Sequence, residues 1–424
     1  MEKASAKKRF SLGLIPRIVI AIVAGILIGR FAPLGVNRFC YTLSSLFSSY
    51  LSFFIPLMVL AFVTMGIADI AEGAGKLLLI TVLIAYASTV LAGITATTTA
   101  LTLFPKFLSP ADLATVSGLT GNSLEPLIDL KIPAIMDTLS AVVLAFLLGL
   151  ALSFTNAKAK NSVLYRFMSE FAEVITLALR ASVIPLLPLY ICGTFANMTY
   201  TGLTFTMLGI MWKVFLVIIV LHLTWLFIQF MAAGAVSHKN PFTLMKLQMP
   251  GYFTALGTQS SAATVPVNLK CAEAQGISEQ VRRFTVPLCA NIHMCGGMIS
   301  ICCVTVVMLL LYGKPVSYAN MIPLVFVLAV ATVAAPGAPG GAIMTALPFL
   351  GMVGLADPAI QAVIISVYIT QDSFGTACNV SGDNAIGQYI DVIRKKWIEP
   401  RKDIASVIAE QLKEQSGEGS ENAQ

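Results

Sequence analysis

Gln371-Asp-Ser-Phe-Gly-Thr-Ala-Cys-Asn-Val-Ser-Gly-Asp383 lies inside the last long apolar segment of the chain, Pro358 to Ile390. Read as a helix, this stretch puts Asp372, Thr376, Asn379 and Asp383 on one narrow face, because spacings of 4, 7 and 11 return to nearly the same direction at 3.6 residues per turn. An ionisable residue at bilayer depth costs about 2.5–3.5 kcal/mol on insertion scales, so two on one face require a cationic or polar partner. The stripe is therefore the first candidate for a binding site.

The surrounding chain says why bilayer depth is the right frame. Of 424 residues, 57% are hydrophobic and only 11% charged, too little polar surface for a soluble protein of this length. This is a polytopic, all-α membrane protein. Its net charge of +6 lies almost wholly outside the spans, where it reports topology and gives no support for nucleic-acid binding. The eight cysteines form no CxxC pair and read as small packing residues. The basic Met1 to Arg9 runs into an apolar stretch of spanning length with no small-residue cleavage site, which reads as a retained first span.

Apolar runs of spanning length occur at 13–32, 44–70, 77–104, 132–155, 168–196, 204–234, 281–312 and 358–390, giving eight expected transmembrane helices. Two further stretches, 241–272 and 321–352, are apolar but interrupted. The first breaks at Gly257-Thr-Gln-Ser-Ser-Ala-Ala-Thr-Val-Pro266 and the second at Ala335-Pro-Gly-Ala-Pro-Gly-Gly341. Proline and glycine stop a helix there, and each half is too short to cross alone, so each stretch is expected to be a re-entrant hairpin. Irregular backbone at membrane depth is tolerated only inside protein or along a cavity. Two interrupted segments, each followed by a long helix, suggest an inverted repeat around a central site.

Lysine and arginine placement supports this count. Lys7, Lys8, Arg9, Arg17, Lys76, Lys158, Lys160, Arg166, Lys239, Lys246, Lys270, Arg282, Arg283, Arg394, Lys395, Lys396, Arg401 and Lys402 fall on one side if both hairpins return to the side they enter from. The other side keeps Arg30, Arg38, Lys106, Lys131 and Lys314. Both termini are then expected in the cytoplasm of a cell (plasma or inner) membrane, with hairpin 1 opening inward and hairpin 2 outward. The chain, 1–424, reads as one integral membrane domain with a cytoplasmic tail over 395–424, including an amphipathic helix near Ile404 to Leu412.

A sodium ion takes hard oxygen ligands, which away from water come from carboxylates, amide side chains and carbonyls freed where a helix unwinds. Asn379-Val-Ser-Gly-Asp383 offers all three, with the glycine expected to loosen the turn. Asp372 reads either as a helix-to-helix hydrogen bond or as the partner of a ligand ammonium, and the interrupted hairpins beside it favour the ligand. Their backbone N–H groups and serine hydroxyls suit a carboxylate. Together these groups describe a zwitterion.

Thr258-Gln-Ser-Ser-Ala-Ala-Thr-Val-Pro-Val267, Pro287-Leu-Cys-Ala-Asn-Ile-His-Met294, Gly337-Ala-Pro-Gly-Gly341 and Gln371 to Asp383 resemble, in order, the four signature regions of the dicarboxylate/amino acid:cation symporters, the glutamate transporter family. Phe54-Ile-Pro-Leu57 and Ala145-Phe-Leu-Leu-Gly-Leu-Ala151 also look like that family, and Ser-Ser-Ala-Ala with Gln-Asp-Ser looks most like its sodium-coupled serine/threonine branch. The resemblance implies a homotrimer in lipid, a scaffold of spans one, two, four and five, and a transport unit that moves as an elevator. No enzyme activity and no cofactor beyond coupling sodium ions are implied. Asp372 would take the substrate ammonium and Asn379 and Thr376 its α-carboxylate side, while Ser260, Ser261 and the backbone of Ala338 to Gly341, Gly340 included, would close around a small amino acid. Asp383 with carbonyls of Cys289, His293 and Asn379 would form one sodium site. Met294 with carbonyls of Asn291, Thr332 and Ala335 would form another.

Departures from the family pattern narrow the expectation. Members that carry acidic substrates have arginine where this chain has Gly375, and the arginine that some keep in hairpin 1 aligns with Gln259. No guanidinium is then available for a second carboxylate. The aspartate of the third sodium site is Cys295 and its threonine Gly297, so a small neutral substrate and fewer ions are expected. An alternative is a proton- or sodium-coupled carrier of dicarboxylates or acidic amino acids. His293 reads either as a neutral hydrogen-bonded residue or as a proton-coupling group, while His222 and His238 read as structural. A membrane aspartyl protease is excluded by distance: a dyad needs touching carboxylates, and eleven helical residues separate these by roughly 16 Å. An ion channel does not need a carboxylate for an ammonium, and phosphate loops, metal clusters and nucleophile–base motifs are absent from the sequence.

Overall fold

Helix boundaries fall where the chain supplies caps and breakers. The structure, a computed structural model, describes residues 14–70, 76–108, 124–136, 138–155, 162–332 and 340–398. The described residues form helices α1 (Leu14–Phe31), α2 (Leu34–Ile70), α3 (Lys76–Phe107), α4 (Thr138–Phe154), α5 (Val163–Ala178), α6 (Ile184–Tyr200) and α7 (Thr204–Ser237). The chain continues with α8 (Pro241–Thr258), α9 (Ser261–Ala274), α10 (Glu279–Ile292), α11 (Cys295–Leu311), α12 (Tyr318–Ala331), α13 (Gly341–Leu350) and α14 (Pro358–Ile393). A π turn, Leu179–Val183, joins α5 to α6. No strand occurs among the described residues.

Cap chemistry explains the punctuation. Asp357 accepts from the Ala359 and Ile360 N–H groups, with Pro358 at the first position of α14. Asn240 and Pro241 start α8 in the same way, directly after left-handed His238 ends α7. The hairpin 1 break is sharp: Gln259 sits in the left-handed region at φ 54° and Ser260 caps α9. Hairpin 2 starts on a Ser317/Asn320 capping box.

Among the described residues, four helices are long and apolar enough to cross a membrane: Leu79–Phe107, Val163–Tyr200, Thr204–Ser237 and Glu279–Leu311. A fifth is the pair Leu34–Leu51 and Pro56–Met65, bent by 41°. The polar stripe keeps α14 out of that group despite its 36 residues. Residues 281–312, read as one unbroken span, divide at His293–Met294 into α10 and α11. The fourth span begins as helix only at Thr138, six residues later than the hydropathy suggested, because 131–134 are non-helical. The N-terminal basic segment and the tail beyond residue 398, with its expected amphipathic helix, lie outside the described residues.

Two groups of helices pack around α14. On one side α2 contacts α4, α5 and α6, and α1 lies along α6. On the other, α14 touches α7, α8, α9, α10 and α11, with α3 against α11. Helix α11 is the hidden centre, since the apolar window of Glu279–Leu311 is 94% buried against 33–39% for the other three candidate spans. Between the groups runs an apolar crevice lined by Val19, Phe195, Met211, Phe215 and Val363.

The hairpins open at opposite ends of α14. Lys239 Nζ, just past α7, donates to the carbonyls of Gln275 (2.7 Å) and Gly276 (3.2 Å) and to Gln388 Oε1 (3.1 Å). Gln275 Nε2 donates to the Leu244 carbonyl (3.2 Å), which joins the start of hairpin 1 to its finish near the C-terminal end of α14. At the other end, one cavity is lined by Asn197, Tyr312, Lys314, Gly354 and Asp357, so hairpin 2 starts and finishes beside the first turn of α14. Hairpin 1 is bound to α14 by buried amides: Asn384 Nδ2 donates to Gln248 Oε1 (2.7 Å) and Asn268 Oδ1 (2.9 Å), and Asn268 Nδ2 to the Val380 carbonyl (2.9 Å).

Helices α11 and α14 meet almost backbone to backbone. A Cβ at Gly296 would lie 2.3 Å from the Gly375 carbonyl oxygen, whereas a Cβ at Gly209 on α7 would meet nothing within 4 Å. Gly296→Ala is therefore expected to destabilise by about 1–3 kcal/mol through overpacking, with Gly209→Ala as the neutral control. Thermal unfolding of the detergent-solubilised variants checks this; equal midpoints would refute the close approach.

Candidate functional site

The polar stripe of α14 faces inward along its whole length, with Asp372, Thr376, Asn379 and Asp383 all buried. Each acidic group meets a different solution to the burial problem. Asp372 Oδ2 accepts from the Gly340 N–H at 2.7 Å. Gly340 has φ 75°, a conformation that glycine takes without strain, and it opens α13. The carboxylate thus sits at a helix N-terminus, where the dipole and the unpaired N–H groups favour an anion. Tyr368, one turn earlier on the same buried face of α14, lies next to Asp372.

Asn379 works on the break between α10 and α11. Its Oδ1 accepts from the Gly296 N–H (2.7 Å), and its Nδ2 faces Met294 Sδ (3.5 Å). The Met294 N–H goes to Thr89 Oγ1 at 3.2 Å. Side chains from α3 and α14 thereby take two N–H groups that a continuous helix would direct at the carbonyls of Ala290 and Ile292. Those carbonyls are the freed oxygens of the site. The sequence reading placed the loosened turn in α14 at Gly382; instead α14 runs unbroken and the irregular backbone belongs to His293–Met294. Gly382 has another role. A Cβ there would lie 2.6 Å from both His293 Cε1 and Gln229 Oε1, so glycine admits these side chains against the helix.

Asp383 is fully buried, and its Oδ1 meets His293 Nδ1 at 3.0 Å. Its Oδ2 has no hydrogen-bond partner among the described residues. A buried carboxylate oxygen with nothing to accept is costly, and a hard cation is the natural complement. The residues present therefore fit sodium.

The other expected site residues are placed as follows. Gly340 reaches Asp372, Met294 reaches Asn379, and His293 reaches Asp383. Cys289 accepts the His293 N–H through its carbonyl (2.8 Å). Ser260 caps α9 through the Ala263 N–H, and Ser261 is buried beside it. Thr376 lies one turn beyond Asp372. Asn291 is exposed with its side chain on the Pro287 carbonyl, and Thr332 bonds the Leu328 carbonyl. Ala335 and Ala338 lie outside the described residues. Cys295 faces Cys378 with sulfurs 3.9 Å apart, so a thiol pair stands where the resemblance calls for an aspartate ligand. Ser88, Thr89, Gln229 and Tyr368 were not legible as site residues, being single polar groups in apolar or aromatic surroundings.

The chain is similar to known proteins along most of its length. The serine/threonine transporters SstT of Streptococcus agalactiae serotype Ia and of serotype V are each 28% identical to the chain over 399 residues. The match covers 90% of this chain and 94% of each relative, and the SstT of serotype III matches to the same extent. Residues 14–393, which hold both hairpins, the α10–α11 break and all of α14, match the sodium:dicarboxylate symporter family, and the chain belongs to that family of membrane transporters.

Proposed function

We propose that the protein is a secondary active symporter that moves a small neutral amino acid, serine- or threonine-like, into the cell together with sodium. The observation that carries this reading is the pair of buried carboxylates on the α14 stripe, one at the tip of hairpin 2 and one beside freed carbonyls, with a zwitterion and an inorganic cation as their complements. The relatives named serine/threonine transporters support the substrate class. So does charge: no lysine or arginine is buried among the described residues, and Gly375 packs against the Gly296 backbone. A second substrate carboxylate would therefore lie in a site without a guanidinium to meet it.

Asp372 binds the substrate ammonium, exchanging the Gly340 N–H for a stronger charge-assisted partner. Thr376, Ser260, Ser261 and the backbone around Ala338 and Gly340 orient its carboxylate end. Asp383, with carbonyls of the α10–α11 junction and of Asn379, holds one sodium. Met294 and carbonyls of Asn291, Thr332 and Ala335 hold a second. Sodium supplies the driving force: each charge moved inward through 100 mV contributes about 2.3 kcal/mol. Both hairpins re-enter the membrane, both termini are cytoplasmic in a plasma or inner membrane, and three copies assemble around the α1, α2, α4, α5 and α6 group. The α14 group moves past that scaffold along an apolar crevice, and the Tyr190 hydroxyl on the Pro358 carbonyl is a polar bond that the movement would break.

Uptake into proteoliposomes tests the reading. Sodium-driven, electrogenic uptake of labelled serine, competed by threonine and little affected by excess glutamate, is expected; glutamate uptake indifferent to serine would overturn the substrate class. Uptake driven by a pH gradient in sodium-free buffer would overturn the ion.

Asp372→Asn removes a charge-assisted contact of about 1.5–3 kcal/mol, so substrate affinity is expected to fall about ten- to a hundredfold while sodium binding persists. Asp383→Asn is expected to abolish sodium-driven transport. Unchanged serine affinity in the first variant, or unchanged sodium dependence in the second, removes that residue from the site.

A further inference from the structure

Ser88 and Gln229, from two different helices, meet the buried His293 ring, which in turn meets the buried Asp383. Gln229 Nε2 on α7 donates to Ser88 Oγ on α3 at 2.8 Å. Gln229 Nε2, which as an amide nitrogen only donates, also faces His293 Nε2 at 3.4 Å, and Ser88 Oγ lies 2.9 Å from the same ring atom. The Nε2 atom then accepts, the ring proton sits on Nδ1, and Nδ1–H donates to Asp383 Oδ1 at 3.0 Å. Asp383 requires the same assignment, because an ionised carboxylate only accepts. Both ends of the chain of bonds thus agree on one ring orientation. Gly382 leaves room for the ring and the amide against α14.

We propose that the His293 side chain is a positioning residue for the sodium ligand. Its Nδ1–H holds Oδ1 so that Oδ2 alone is presented to the ion, and Ser88 with Gln229 locks the ring that does so. The inference rests on the sodium reading above and goes beyond it by giving the imidazole, in addition to the His293 carbonyl, a defined task. Oriented ligands of this kind are how outer-shell groups tune a bound metal.

Bond counting supplies the test. From Cβ, the asparagine amide nitrogen lies at the same number of bonds as His Nδ1, and the glutamine amide oxygen, an acceptor, at the same number as His Nε2. Asparagine can reproduce the bond to Asp383; glutamine reproduces only the one to Ser88. The full chain in lipid nanodiscs is titrated with sodium chloride against choline chloride at constant ionic strength, and the shift of the thermal unfolding midpoint gives the half-saturating concentration. His293→Gln is expected to raise that concentration about tenfold or more, as loss of a hydrogen bond to a charged group does. His293→Asn is expected to recover most of the lost affinity. Ser88→Ala, which leaves every atom of the His293–Asp383 bond in place, is expected to weaken sodium severalfold in the native background and to add nothing to His293→Asn, where the lock no longer acts.

Native affinity in both His293→Gln and Ser88→Ala would overturn the proposal, as would asparagine binding no better than glutamine. An additive Ser88→Ala effect in the asparagine background would overturn the lock. If His293→Gln does not fold, the Ser88→Ala comparison decides alone. A native protein stabilised by serine but not specifically by sodium would overturn the sodium reading itself, and this inference with it.

Discussion

A carboxylate inside a low-dielectric protein has to be met by something, and α14 buries three: Asp391, met by Ser278 and Lys395, and the two of the polar stripe, Asp372 and Asp383. Much of the surrounding architecture answers that requirement. Asp372 is met by the opening turn of α13, which needs hairpin 2 to fold back until Gly340 reaches the middle of α14. Asp383 is met by His293, which needs α10 and α11 to part so that the ring can turn toward α14. The breaks in regular structure and the buried charges occur together because broken helices expose the N–H groups and carbonyls that buried charges and cations consume.

Close approach is the second constraint. Hydrogen bonds of 2.7 Å across helix interfaces require backbones nearer than ordinary side chains allow, and glycine at 296 and 382 provides that proximity. The same proximity places Asn379 over the first turn of α11, where its amide caps the helix and faces Met294. A side chain expected to face a ligand thus also holds together the backbone that frees the carbonyls.

Among the described residues, the two hairpins meet α14 through different kinds of bond. Hairpin 1 joins α14 through Gln248, Asn268, Gln275, Asn384 and Gln388, fully buried amides whose loss would leave several partners unsatisfied. Hairpin 2 meets the stripe through the Gly340 N–H on Asp372, the group that a ligand ammonium would claim.

Apolar run length, Pro–Gly breaks and a 3.6-residue polar stripe were enough, by themselves, to indicate an all-helical membrane protein with two interrupted segments and an inward polar stripe on the last helix. These are local properties, set by backbone sterics and hydropathy within a few turns. The motif order in Thr258–Val267, Pro287–Met294, Gly337–Gly341 and Gln371–Asp383 also made the family legible. Only the tertiary structure decided that residues 281–312 break at His293, that Gly382 serves close packing, and that Ser88, Thr89 and Gln229 bond the His293–Met294 junction. A lone serine or glutamine in an apolar span looks the same in sequence whether it bonds its own helix or a distant one. Its partner is chosen by how helices far apart in the chain pack, and a one-dimensional pattern does not contain that choice.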